Sequence, residues 1–439
     1  MAKLKRIWNI LHSSLWFIPS IIVGGALVIA VLLIEIDSRS SWKLADLYPR
    51  LFGAGAEGSR GMLEAIASSM ITVAGVIFSI TIVTLSLASS QYSPRVLRNF
   101  MGDRANQIVL GVFVGIFTYC LVVLRTIRGG DEGEFVPSLS VLFGVLLALI
   151  GIGFLIFFIH HTATSIQSSS VIASAAEQTS QAIDHLFPQE LGDDEPEENH
   201  KNAEQALARA SWQPVRARTT GYIESVEVDA LLRFASERRV VVRMQRGIGD
   251  FIVEGSTLAL VNLPNVPDEE TANNLNSLYT ISRNRTVEQD AAFGIRQIVD
   301  IALKALSPGI NDTTTAVVCL DYLSAILVRL ASRRIETPYR YDAGELRVIA
   351  KGPTFDSLLD AALNQIRQNA AGNVSVIIRM LETIDTVSEL TRAPDRRLSL
   401  IKQVALIDEL AQRTVESAHD RAKVSEHVAR VSFNLEQRV

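Results

Sequence analysis

Apolar residues fall into four long uninterrupted runs within the first 160 positions and into shorter, periodic groups afterwards. The most informative stretch is 136–187, where a charge-free run from Val136 to Ile159 passes directly into HHTATSIQSSSVIASAAEQTSQAIDHLF. At about 1.5 Å per residue, the first part is long enough to cross a ~30 Å hydrocarbon core as a helix. The second part has no Gly or Pro before Pro188, so the pattern predicts one helix that leaves the bilayer and continues through 161–187. The earlier runs, about 15–34, 65–88 and 108–124, bring the expected spans to four in a transmembrane domain of residues 1–160. Acidic and basic residues follow the first run where a cleavage site would need small ones, so it reads as a retained span, flanked by Trp8, Trp16 and Trp42 as interfacial anchors.

No span carries Asp, Glu, Lys or Arg in its interior. Carriers coupled to protons or cations keep such residues at membrane depth for function, so a proton-coupled carrier is disfavoured. The second span instead carries Ser68, Thr72, Gly75, Ser79, Ser86 and Ser90, which at about 100° per residue share an arc of about 60°. Two readings stand open: a helix-packing face, since small residues let helices approach closely in lipid, or the wall of a water-filled pore. After this span, Ser93 as N-cap and Pro94 as first helical residue predict a short interfacial helix. His160 and His161 stand at the exit of the fourth span, with no acidic or cysteine partner on their own helix face, and read as interfacial residues.

Charge divides the chain. Residues 1–160 carry 12 Lys+Arg and 9 Asp+Glu, which leaves 30 and 38 for the remainder. An acidic C-terminal part argues against nucleic acid as a partner. The positive-inside comparison is tied at six basic residues on each side, so the basic extreme N-terminus and the large uncleaved C-terminal region decide for cytoplasmic termini. With two cysteines, Cys120 and Cys319, no disulfide framework organises the fold.

Residues 188–214 form an acidic, Pro-containing linker. From Thr219 the alternation of β-branched and polar residues, punctuated by Gly247, Gly249 and Gly255, predicts a small β-rich module over 215–265. Its segments GYIESV, DALLRFA, VVVRM and GDFIVEGSTLALV resemble the barrel-sandwich hybrid of lipoyl and biotinyl carrier domains. The modifiable lysine of those carriers has no counterpart here, so shape alone carries over. Residues 266–439 read mainly as helices, the last hundred as a bundle with charged outer faces suited to assembly. The expected fold class is therefore a multi-pass α-helical membrane protein with a mixed α+β, mainly helical, C-terminal region.

The most distinctive stretch of that region runs from Ser282 to Leu323. Ile295, Ile298, Ile301, Ala302 and Leu306 make a helical apolar face that SPG at 307–309 ends, and Asn311 or Asp312 caps a second helix. A helix N-terminus with Arg283, Arg285 and Arg296 close in sequence could bind a small anion. A tight helix corner, with the arginines paired to Asp290 and Asp300, accounts for the same residues. No Walker loop, dinucleotide fingerprint, HExxH or GxSxG is present, so no catalytic residue, metal ligand or cofactor is assigned. Cys319 lies on an apolar helix face and reads as a buried small residue.

Two phrases together resemble a bacterial family of predicted membrane proteins with a domain of unknown function. They are SSMITVAGVIFSITIVTLSLASSQYSPRVLRNFMGDRANQIVLGVFVGIFTYCLVVLR and QDAAFGIRQIVDIALKALSPGINDTTTAVVCLDYL. The resemblance implies a multi-pass inner-membrane protein with a cytosolic C-terminal region, and it carries over no functional residues. Charge-free spans, a polar helix leaving the membrane and the lack of catalytic motifs lead to the expectation of a lipid-embedded homo-oligomeric channel, assembled or gated by its cytosolic domain. The alternative expectation is a scaffold or sensor whose Asn311–Asp312 loop binds a small anion or a partner protein.

Overall fold

Four helices carry the apolar runs of the first unit: α1 (Phe17–Arg39), α2 (Gly55–Gln91), α3 (Arg104–Leu124) and α4 (Ser138–Ser165). The computed structural model describes residues 16–39, 55–91, 103–129, 135–165, 167–188, 211–287, 289–335, 337–391 and 393–437, with 88–91 described by their backbone alone. The interfacial helix expected after Ser93, the anchors Trp8 and Trp42, and most of the acidic linker lie outside these residues. The chain divides into two compact units, Met1–Val171 and Ile172–Val439.

In the first unit α3 is the central helix, packed on α1, α2 and α4, and it buries Val109, Phe113, Ile116, Tyr119, Cys120 and Val123. Its close approach to α1 depends on Gly111, where a Cβ would lie 2.8 Å from Ile22 Cδ1 and 2.9 Å from Pro19 Cα. A buried polar cluster is paired inside the bundle. Asp37, near the end of α1, accepts the Ser140 N–H at 2.9 Å and the Ser140 hydroxyl at 2.6 Å, capping α4, while the Tyr119 hydroxyl donates to Ser140 O at 2.7 Å.

The continuous helix expected from 136 to 187 is instead two, α4 ending at Ser165 and α5 (Ser168–Leu186) beginning three residues later. At the end of α4, Thr164 donates to the carbonyls of His160 and His161 and Ser165 to that of His161. The polar run of α5 conceals an apolar face of Ile172, Ala175, Ala176, Ala182 and Ile183, all buried.

The β-rich part of the second unit contains two small sheets. Strands β1 (Gln213–Arg216), β5 (Thr257–Val261), β3 (Val242–Met244), β8 (Glu345–Ile349) and β7 (Tyr339–Asp342) form one in that spatial order; β4 (Phe251–Ile252), β2 (Gly221–Val226) and β6 (Tyr279–Ser282) form the other. Both bury alternate residues in a common core with Leu231 and Phe234 of α6 (Val228–Arg238) and Leu275 of α7 (Glu269–Ser277). No barrel closes. DALLRFA, expected as part of a strand pattern, is α6, because Leu231, Phe234 and Ala235 recur at helical spacing. The region expected to be helical supplies β6 and the β7–β8 hairpin, whose Ala343 and Gly344 both have positive φ, as a two-residue turn between twisted strands requires.

The remaining helices are α8 (Ala291–Ala305), α9 (Thr313–Ser332), α10 (Phe355–Asn369), α11 (Val374–Leu390), α12 (Pro394–Thr414) and α13 (Ala418–Gln437). Side-chain caps fix several starts: Asp290 for α8, Asp312 for α9, Asn373 for α11, and a Thr354–Ser357 capping box for α10. α5 packs on α8 with Thr179 against Gly294, where a Cβ would stand 2.9 Å from Thr179 Cβ. Asp184 of α5 also pairs with Arg333 at 2.8 Å and Arg329 at 3.4 Å. Among the described residues five helices are long and apolar enough to cross a membrane: α1 to α4 and also α9. The residues of α9 that give it this character, including Ala316, Cys319, Leu320, Leu323, Ile326, Leu327 and Leu330, are enclosed by α8, α10 and α11.

Candidate functional site

The buried face of α2 consists of Leu63, Ala67, Met70, Ala74 and Ile77, which turn toward the rest of the bundle. At about 100° per residue this face lies roughly opposite the hydroxyl stripe. Ser68, Thr72, Gly75, Ser79 and Ser86 are all exposed, and a Cβ built on Gly75 would meet nothing within 4 Å. The side chain of Ser90 lies outside the described residues. Among the described residues, the stripe is therefore not the face by which α2 packs on the other helices of the first unit. Thr72 donates to Ser68 O at 2.8 Å and Ser69, beside it, to Ala65 O at 2.7 Å, so these hydroxyls satisfy their donors locally and keep acceptor capacity facing outward.

The five candidates of the C-terminal unit are not gathered into one site. Asp312 caps α9, accepting the Thr315 N–H at 3.0 Å and its hydroxyl at 2.6 Å; those hydrogen bonds hold the carboxyl below the ordinary carboxylate range. A negative charge thus already occupies the helix N-terminus where an anion would sit. Asn311 precedes it in the left-handed region at φ 50°, a conformation Asn tolerates better than most residues. Arg285 lies at the far end of α8, where it pairs with Asp290 at 2.6 Å, and Arg296 pairs one turn along its own helix with Asp300 at 2.8 Å. Arg283 is exposed. Asp290 is buried, and its desolvation outweighs the pull of Arg285 and moves its carboxyl up. Burial likewise pushes the Cys319 thiol up, which fits a core residue and suits no nucleophile.

The family described as predicted membrane protein (DUF2254) matches residues 12–386. The chain belongs to this family. Uncharacterized protein MT1328 and Uncharacterized protein Rv1290c, both from Mycobacterium tuberculosis strains, are each 32 % identical to it over 444 residues, covering 100 % of this chain and 84 % of their own length. Uncharacterized protein Mb1321c of Mycobacterium bovis shows the same identity and coverage. No solved structure matches. The DUF2254 match runs from the first membrane helix through most of α11, so the stripe, the Asn311–Asp312 corner and both sheets fall within it, while α12 and α13 lie beyond.

Three polar arrangements in this DUF2254 chain escape a reading by sequence spacing. Asp37 caps α4 from more than a hundred residues away. Asp103 meets His161 across α3 and α4, supplying the acidic partner that His161 lacks on its own helix. Arg396, buried on α12, donates to the carbonyls of Leu330, Ala331 and Arg333 at 3.0 Å each and so completes the C-terminal end of α9. The legible part of each signal is a charged residue near a helix end, Asp37 in the last turn of α1, Asp103 before α3 and Arg396 in the first turn of α12; the partner comes only with the fold.

Proposed function

We propose that the protein is a homo-oligomeric channel of the bacterial inner membrane, with α1 to α4 spanning, both termini in the cytoplasm, and the C-terminal unit acting as a cytosolic assembly or gating domain without enzymatic activity. In this reading α9 belongs to the core of the cytosolic domain. Its flanks are charged and paired, Asp321 with Arg379 and Arg329 with Asp184, as befits a helix wrapped by protein.

One observation carries the proposal: the aligned Ser68, Thr72, Gly75, Ser79 and Ser86 look away from the protomer, opposite the face that α2 buries. Facing lipid, that alignment would gain nothing from its hydroxyls. Around an axis between copies it supplies both water contacts and close approach, through the small pairs Ser68–Thr72 and Gly75–Ser79 four residues apart. The test is the mass of the intact detergent-solubilised complex, followed by ion flux through liposomes containing it. The proposal expects a closed ring that conducts, and loss of flux when Thr72, Ser79 and Ser86 are changed together to Leu. A monomer that passes nothing overturns it.

A further inference from the structure

Asp103 holds two elements at once. Its Oδ1 accepts the Ala105 N–H at 2.9 Å, capping α3, and its Oδ2 lies 2.6 Å from Nε2 of His161 in the last turns of α4. The Phe157 ring stacks on the imidazole at 5.6 Å, which fixes its plane. The two side chains are 28 % exposed for His161 and 20 % for Asp103, so solvent protons reach the pair. Four residues further on α4 stops, and the Gln167 N–H reaches back to Thr164 O in a tight turn before α5 begins. Near the pair in sequence, Asn106 Oδ1 and Thr162 Oγ1 are buried with no hydrogen-bond partner among the described residues.

The geometry points to a protonation-sensitive latch, in which the Asp103–His161 contact clamps the start of α3 to the end of α4 directly before the break that leads into α5. The ring donates its Nε2–H to the carboxylate when neutral, and as imidazolium it adds charge attraction, so acid tightens the clamp. A proton thus sets how firmly the two helix ends are held together. Among the described residues, the other titratable groups beside the pair on α3 and α4 are His160 and Arg104, both exposed. The α1 segment that meets α3 through Pro19 and Ile22 carries no ionisable residue between Phe17 and Ile34, nor does α2 between Ala65 and Leu87. Because α5 buries its apolar face in the C-terminal unit, the latch stands on the covalent path between that unit and the spans.

The test reads distance rather than flux, so it does not depend on the channel reading. Spin labels at Ile108→Cys and Ala163→Cys, both exposed, are placed in the full-length protein in liposomes; native Cys120 and Cys319 are buried. Distances are recorded at pH about 5.5 and about 8.5, on either side of the ordinary imidazole range. The latch predicts a short, narrow distribution in acid and a longer component in base, with the ratio of the two changing up to about fivefold, as for a partly exposed ion pair. Asp103→Asn, which retains an N-capping side chain, and His161→Gln should each abolish the response, and His160→Gln should retain it. A wild-type distribution that does not change with pH overturns the latch, as does a response that survives His161→Gln.

Discussion

α2 and α9 are both apolar enough to cross a membrane, yet they distribute polarity in opposite senses. α9 turns its apolar residues inward until Cys319, Leu320, Leu323, Ile326 and Leu327 are fully enclosed, and leaves Asp321 and Arg329 at its flanks in ion pairs. α2 buries a narrow face of Leu63, Ala67, Met70, Ala74 and Ile77 and exposes Ile71, Val76, Phe78, Ile82 and Val83, with a file of hydroxyls among them. Hydropathy alone ranks the two together; the relation between polarity and burial separates them. A core helix places charge on its outward face, where it meets water, whereas a spanning helix places large apolar side chains on its outward face, where it meets lipid. On such a helix an outward file of small polar residues is the exception that calls for a partner.

The largest expected effect lies where α5 meets α8. Gly294→Val collides with Thr179, and with no slack on either helix the C-terminal unit should lose about 2–3 kcal/mol, read as a fall in the thermal unfolding midpoint of the detergent-solubilised protein. A smaller loss is expected from Arg396→Met. That substitution keeps the apolar stem but strands the α9 carbonyls that Arg396 now satisfies, at a cost of about 1–3 kcal/mol in the same measurement. If α9 instead crossed lipid, its C-terminal carbonyls would lie at an interface and the change would be nearly silent.

The comparison is sharpest for the stripe. Changing Thr72, Ser79 and Ser86 together to Leu should change the unfolding free energy by no more than about 0.5 kcal/mol per site, because these residues are exposed among the described residues, while the channel reading expects flux to fall. The smallest effect belongs to Asp312. Its folded-state pKa is held down by Thr315, so the stability it contributes is present above the unfolded value and is lost as pH falls below about 4. Asp312→Asn should flatten the acid limb of stability against pH and change little at neutral pH. An unchanged acid limb would show that the cap does not titrate with folding.

Much of this organisation was legible from residue patterns. Long apolar runs gave α1 to α4, the Ile295, Ile298 and Ile301 face gave α8, and SPG followed by Asn311–Asp312 gave the corner into α9, because each rests on local periodicity or capping. The failures differ in kind. The 161–187 run has good helical composition throughout, and nothing in its residue pattern marks the end of α4 at Ser165 and the start of α5 at Ser168. DALLRFA looked extended beside true strands, although its Leu231–Phe234–Ala235 spacing is helical. The β7–β8 hairpin was hidden because β8 finds its partner, β3, about a hundred residues earlier in the chain. As for the candidate sites, the stripe was readable as a pattern, but which way it faced was not. That required knowing which residues of α2 were already committed to α3 and α4.

The most direct measurement of the central claim is labelling by a membrane-impermeant, water-soluble thiol reagent in native membranes. Single cysteines replace Thr72, Ser79 or Ser86 on the stripe, and Phe78 or Ile80 on the apolar flanks, over a background in which Cys120 and Cys319 are buried. The channel account predicts reaction at the three stripe positions and none at the two flanks. Equal protection of all five positions would place the stripe against lipid or dry protein and contradict it.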